Sequence, residues 1–257
     1  MQTSLRDKIK AGTLITGTMV HDFACPAIAP VLAEAGFDFI IIDQEHGPAC
    51  YQDIQDVVIA AKSYDLAIIV RSTKNDYEYM AKVLDMGADG LLVPHVDTPA
   101  ESHNVVKCTK YPPAGERSHG MRHYLSKFGP CGSTAEYIKV ANEKTTILVQ
   151  AESPVAARNI DAIVSSPWID GVVVGPSDFT MSMGIIGQYD NPQFLAHCDT
   201  ILQACLKAKK HFGIHWSKLD VAMAWKKKGA NIMLFSSATN LLREKAIEVA
   251  GRLRSAF

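Results

Sequence analysis

The chain has 257 residues and a mass of 28.0 kDa, with 47% apolar and 21% charged residues and a mean hydropathy of +0.03. That is ample apolar material for one large core and excludes wholesale disorder. Lys plus Arg number 26 against 27 Asp plus Glu, a net charge of −1, which excludes the basic footprint of a general nucleic-acid binder. No run of 18 uncharged apolar residues predicts a membrane span, and the polar, helix-like start (MQTSLRDKIKAG) does not read as a signal peptide.

The elements alternate along the chain. Short Ile- and Val-rich runs at 14–20, 37–43, 66–71, 89–94, 146–151, 170–175, 212–215 and 232–236 read as strands. Segments such as FIII, AIIV, GLLVP, TILV and GVVVG are apolar at consecutive positions, as strands covered on both faces of a parallel sheet are. Helical periodicity marks 26–36, 51–63, 76–87, 99–110, 191–210, 219–229 and 239–253. Gly36, Gly87 and Gly229 close three of these, as left-handed helix ends. Pro99, Pro154 and Pro192 stand where helices begin. The three lysines at 226–228 fall at a helix end, where cations suit the dipole.

Strands alternating with helices over this length predict an α/β chain folded as a single-domain (β/α)8 TIM barrel spanning residues 1–257. A doubly wound open sheet is the rival, but it would carry a glycine-rich phosphate loop after its first strand. Here that position reads His21-Asp22-Phe23-Ala24-Cys25. No internal repeat is evident. The longest irregular stretch, 111–132, reads as a functional loop. The six cysteines form no C-x-x-C pair, so reduced thiols and a cytoplasmic location are expected. Cys198 and Cys205, seven residues apart, share a helix face and should pack as small apolar groups.

In such a barrel the chemistry sits at the carboxyl ends of the strands. Strand two ends Asp43-Gln44-Glu45-His46, strand three in Arg71 and strand four in Pro94-His95. Strand five ends Gln150-Ala151-Glu152, strand six runs into Gly175-Pro176-Ser177-Asp178, and strand seven ends in His215. Individually these have plain structural readings. Glu152 and Asp178 suit helix first turns, Asp43 could cap its loop, and His95 and His215 read as packed histidines. Together they point to metal-assisted chemistry: two carboxylates on neighbouring strands can hold Mg²⁺ or Mn²⁺ with positions left for substrate oxygens. Arg71 would neutralise an oxyanion, and His46, with Asp43 orienting its ring, would act as general base. A Schiff-base route lacks its lysine, since none interrupts the apolar runs.

The segments AGFDFIIIDQEHGP, VRSTKNDYEYMAKVLDMGADGLLVPHV, KYPPAGERSHG, ILVQAES and GVVVGPSDFTMSMG, in this order, resemble the class II (metal-dependent) pyruvate aldolases of the HpcH/HpaI family. That family includes 2-keto-4-hydroxyheptanedioate (2,4-dihydroxyhept-2-ene-1,7-dioate) aldolase and 2-dehydro-3-deoxyglucarate aldolase. The resemblance implies Glu152 and Asp178 as ligands of a divalent metal ion (Mg²⁺, Mn²⁺ or Co²⁺). It implies Gln150, Arg71 and the backbone around Ser177 as contacts of the pyruvate unit, and His46, oriented by Asp43, as the base. It also implies a homohexamer in which Asp85, in Leu84-Asp85-Met86-Gly87, approaches a neighbouring subunit's site. The chain departs from the family at Met19, at His215-Trp216 and at Phe235-Ser236-Ser237-Ala238, and its 111–132 loop carries His119, Arg122, His123 and Tyr124. The expected reaction is reversible retro-aldol cleavage of a 4-hydroxy-2-oxo acid into pyruvate and an aldehyde. Oxaloacetate decarboxylation through the same enolate and a catalytically silent binding barrel are the alternatives.

Overall fold

A computed structural model describes residues 4–120 and 132–255, so Arg122, His123 and Tyr124 lie outside the described residues. The elements in order are α1 (Leu5–Lys10), β1 (Ile15–Val20), α2 (Ile28–Glu34), β2 (Phe39–Asp43), α3 (Tyr51–Ala61), β3 (Ala67–Arg71), α4 (Tyr77–Asp85), β4 (Gly90–Val93), α5 (Pro99–Thr109), α6 (Thr134–Lys144), β5 (Thr146–Ala151), α7 (Pro154–Ile163), β6 (Gly171–Val174), α8 (Pro176–Ser182), α9 (Pro192–Lys207), β7 (His211–Ile214), α10 (Leu219–Lys228), β8 (Ile232–Ser237) and α11 (Ala238–Ser255). The strands pair in parallel in sequence order, and β8 returns to β1 to close the barrel. The expected (β/α)8 architecture is therefore present. Each predicted strand lies within about two residues of an observed one, the usual uncertainty at element ends. Helices α6, α7 and α8 add to those read from periodicity.

Two apolar clusters divide the strand side chains. Val20, Ile40, Ile42, Ile68, Val70, Leu91, Ile147, Val149, Val172 and Phe212 point outward and pack under the helices. Met19, Phe39, Ile41, Ile69, Leu92, Leu148, Val173 and Leu234 point inward and fill the barrel. Gly17 on β1 leaves room for the Phe39 ring, which a Cβ there would strike. The alternation continues beyond the apolar filling. One step above Ile41 stands Asp43, above Ile69 stands Arg71, above Leu148 stand Gln150 and then Glu152, and above Leu234 stands Ser236. Period-two geometry thus delivers polar side chains to the carboxyl rim on top of a dry interior.

The opposite end is sealed. Ser4 caps α1 in a capping box with Asp7, and Leu5 and Ile9 join the inward cluster as a plug. Arg6 donates to Asp170 Oδ1 at 2.7 Å and to the Asn142 carbonyl at 2.7 Å. Four polar residues repeat a single contact at this floor. Asp38, Asp89, Asp170 and Asn231, each immediately before an even-numbered strand, accept the backbone N–H of Thr16, Ile68, Ile147 and Phe212 on the preceding strand, at 2.8–2.9 Å. The sequence reading found no repeat; the structure shows this one, carried by a single Asp or Asn per unit. Cys198 and Cys205 are fully buried in α9, where burial pushes both thiols up.

Candidate active site

At the rim, β2 and β3 pair in register so that Asp43 stands opposite Arg71. Arg71 Nε and Nη2 donate to the two Asp43 oxygens at 2.8 and 2.7 Å, a fork-on-fork pair. Its Nη1 lies 2.9 Å from Glu45 Oε2. Burial works against the Arg71 charge, but Asp43, with Glu45 and Glu152 behind it, outweighs burial and raises the guanidinium above its ordinary pKa. Burial would likewise raise Asp43; the hydrogen bonds and charge of Arg71 prevail and hold it below the usual carboxylate range.

His46 lies close by, and its exposed ring has Nε2 3.9 Å from Glu45 Oε2. Asp43 does not meet that ring. Its Oδ1 accepts the backbone N–H groups of Glu45 and His46 at 3.0 and 3.4 Å. It therefore fixes the loop that carries His46, which corrects the expectation that it orients the imidazole itself. The ring lies beside Glu45 instead.

Glu152 follows β5 directly and is 3% exposed. Gln150 Nε2 donates to its Oε1 at 2.5 Å, and the His95 N–H donates to its Oε2 at 3.1 Å. Gly175 makes this packing possible, because a Cβ there would run into the Glu152 carboxylate and the Gln150 amide. Burial pushes Glu152 up to about 7; His95 offsets this in part, while the negative charges of Asp178 and Glu45 add to it. Asp178 sits in the first turn of α8, after the neighbouring strand β6. Both acids thus occur at the same end of the barrel, just after adjacent strands.

Three residues that the sequence reading left without a role complete the rim. Glu45 bridges Arg71 to His95, whose Nε2 is 3.3 Å from Glu45 Oε1 and whose Nδ1 is 3.2 Å from Glu152 Oε2. His95 adopts φ +52°, a left-handed conformation uncommon outside glycine, which places its N–H on Glu152. His21, after β1, has Nε2 3.8 Å from Asp43 Oδ2. Only the alternation of β1 signalled His21, and nothing in composition signalled the turn at His95. Ser177 is exposed, and its Oγ lies 3.2 Å from the Tyr189 hydroxyl. Asp85 ends α4 at the floor side, away from this rim, and accepts a hydrogen bond from Arg117 Nη2 at 2.5 Å.

Among the described residues no group of three or more His, Cys, Asp or Glu is placed to hold a metal ion. The donor set is instead an open one. Glu152 is a carboxylate raised chiefly by burial and further by the charge of Asp178, and beside it the Gln150 Oε1 atom is buried without a partner. Two carboxylates and a neutral oxygen suit a hard divalent cation that keeps positions for water and substrate, so the residues fit such an ion.

A closed parallel barrel with acids, an arginine and histidines gathered at its carboxyl rim defines an α/β-barrel protein with an enzyme-type site. The chain belongs to the HpcH/HpaI aldolase/citrate lyase family, whose model matches residues 22–244. It is 30% identical to the Hydroxypyruvate/pyruvate aldolase of Pseudomonas aeruginosa over 249 residues, 97% of this chain and 92% of that protein. It is 32% identical to the 4-hydroxy-2-oxo-heptane-1,7-dioate aldolase of Salmonella typhimurium over 252 residues, 98% of this chain and 95% of that one. A crystal structure of an HpcH/HpaI aldolase from Desulfitobacterium hafniense superposes with a TM-score of 0.91 at 29% identity, covering 98% of this chain and 97% of that chain.

Proposed function

We propose that the protein is a pyruvate aldolase, a carbon–carbon lyase that reversibly cleaves a 4-hydroxy-2-oxo acid into pyruvate and an aldehyde. Family membership and the two aldolase relatives support the reaction class. The observation that carries the site assignment is the raised, buried Glu152 with Asp178 just after the next strand, at the same rim as the Arg71–Asp43 pair. Glu152 and Asp178 would hold a divalent cation (Mg²⁺, Mn²⁺ or Co²⁺), which supplies Lewis acidity to the 2-oxo group.

The chain's own residues do the rest. A guanidinium has five N–H donors; three of those on Arg71 face Asp43 and Glu45, and the others can stabilise the negative charge that develops on the pyruvate oxygen. Gln150 and the backbone at Ser177 bind and orient the pyruvate unit. His46 removes the proton of the 4-hydroxyl. The electrons of the C3–C4 bond then pass to C3, the aldehyde departs, and a proton delivered to C3 gives pyruvate.

The same reading makes the protein a cytoplasmic homo-oligomer, a hexamer by family resemblance. Two features support self-association: α11 buries only Ala238 and exposes Leu242, Ile247, Val249 and Leu253, and Asp85 is too far from its own rim to serve there. In an oligomer Asp85 would contact the aldehyde end of a neighbour's site. The test is pyruvate release from 4-hydroxy-2-oxo acids with Mg²⁺, Mn²⁺ or Co²⁺, with oxaloacetate compared in the same assay. Release is expected, should cease with EDTA, and should fall about a hundredfold or more in Glu152→Ala. Full turnover after chelation, or in Glu152→Ala, would overturn the assignment.

A further inference from the structure

Two sides of the rim differ. Toward β2, β3 and β4 it is filled, since Glu45 spans from Arg71 to His95 and His95 reaches Glu152. Toward β7, β8 and β1 it opens into a cavity of about 960 Å³ that includes Ser177 and His21 in its wall. His21, in that wall, links the cavity to the catalytic side of the rim, with its Nε2 3.8 Å from Asp43 Oδ2. If the pyruvate unit lies between Glu152, Asp178 and Arg71, this open side gives the reacting aldehyde room among the described residues.

The inner end of that cavity has an unusual lining. His21, His215 and Ser236 stand where β1, β7 and β8 reach the rim. His21 Nε2 and Ser236 Oγ are buried atoms without a hydrogen-bond partner, and Ser236 is only 3% exposed. Such orphaned groups cost free energy unless a ligand satisfies them. Ser236 adopts φ +53°, and His215 Nε2 lies 2.9 Å from its carbonyl oxygen. The carbonyl requires the proton on Nε2, so His215 Nδ1 is left as an acceptor. One hydroxyl that can donate or accept, one imidazole acceptor and one further imidazole nitrogen form a set suited to alcohol groups.

The charge in the cavity argues against an anionic tail. Asp22, Asp190 and Asp220 line it with Lys218 and Lys228, and Lys228 already binds Asp199 at 2.9 Å. An incoming carboxylate meets no cationic surplus there.

We infer that the aldehyde partner of this enzyme is a neutral hydroxyaldehyde whose hydroxyl groups are bound by Ser236, His215 and His21. The inference rests on the aldolase reading and names the second substrate of that site. Ser236 and His215 are specificity-determining residues; neither takes part in forming the enolate.

The experiment is the initial rate of pyruvate addition to aldehydes of matched size, using the manganese-loaded enzyme. Glycolaldehyde is compared with propanal, glyceraldehyde with pentanal, and succinic semialdehyde supplies the carboxylate arm. The wild type should favour the hydroxylated member of each pair by about tenfold or more in kcat/KM, because a site with polar groups to satisfy rejects the partner that leaves them unpaired. Ser236→Ala and His215→Leu should each reduce that ratio about tenfold, mainly by raising KM for the hydroxyaldehyde. The ratio is internal to each preparation, so partial loss of folded protein cancels. No preference in the wild type, an unchanged ratio in both variants, or succinic semialdehyde as the best acceptor would overturn the inference. Deuterium exchange into the pyruvate methyl group by the wild type, without aldehyde, separates the two levels. Exchange without hydroxyaldehyde preference overturns only the substrate class. Absence of exchange overturns the aldolase reading and the inference with it.

Discussion

Arg71 and Asp43 show how much of the site depends on one pair of side chains. Both are buried, and their two short hydrogen bonds hold the guanidinium in one orientation at the mouth of the barrel. A lysine cannot reproduce that fork. Arg71→Lys should therefore retain the fold and lose about 10²–10³ in kcat, measured by steady-state pyruvate release. Asp43→Ala leaves the arginine buried without its main partner and should cost about 3–5 kcal/mol of stability in urea denaturation. Asp43 and Arg71 were legible in the sequence because both end apolar runs. Glu45 stood in the same DQEH stretch but had no visible partner until β2, β3 and β4 closed around it. His95 was less legible still, because its contact with Glu152 depends on a positive φ that the residue type does not announce.

Among the elements, the strands were readable because parallel strands covered on both faces carry unbroken Ile and Val runs. The segments around Thr134–Lys144 and Pro176–Ser182 were harder. The first is polar on much of its surface, although its Ser133 cap, three residues before Glu136, is a helix-start signal. The second is only seven residues long, too short for periodicity to register. The fourfold contact at the floor was invisible for another reason: one Asp or Asn in each unit is no more than background in a linear search, and only the closed sheet lines the four up. Each of these side chains satisfies a backbone N–H of the neighbouring strand. Asp89→Ala should accordingly lower stability by about 1–3 kcal/mol, the cost of an unmade buried hydrogen bond, read from chemical denaturation. Asp170 also binds Arg6, so Asp170→Ala should cost more, about 3–5 kcal/mol.

For the whole molecule, pH and association give two further expectations. His211 is 2% exposed, with Nε2 2.9 Å from the Thr13 carbonyl. Burial lowers its pKa below the ordinary histidine value despite that bond and the charge of Asp170. Unfolding then takes up a proton. Its stabilising contribution is complete above about pH 6.5 and is lost as pH falls from there toward the folded-state value. The stability advantage of the wild type over His211→Gln, read as the difference between their melting temperatures, should therefore shrink as pH falls below about 6.5. Association is the second expectation. The exposed Leu242 and Leu253 on α11 predict an assembly that Leu242→Glu and Leu253→Glu weaken, measured by sedimentation velocity. The two ends of the barrel also face different evolutionary demands. The ties that keep the strands in register gather at the base with Arg6 and the four carboxylate or amide acceptors, whereas His21, His215 and Ser236 hold no strand to its neighbour through their side-chain tips except for the one His215 bond. Descendants of this chain, or variants selected in the laboratory, can therefore exchange one aldehyde preference for another by altering those tips while the scaffold beneath them stays intact.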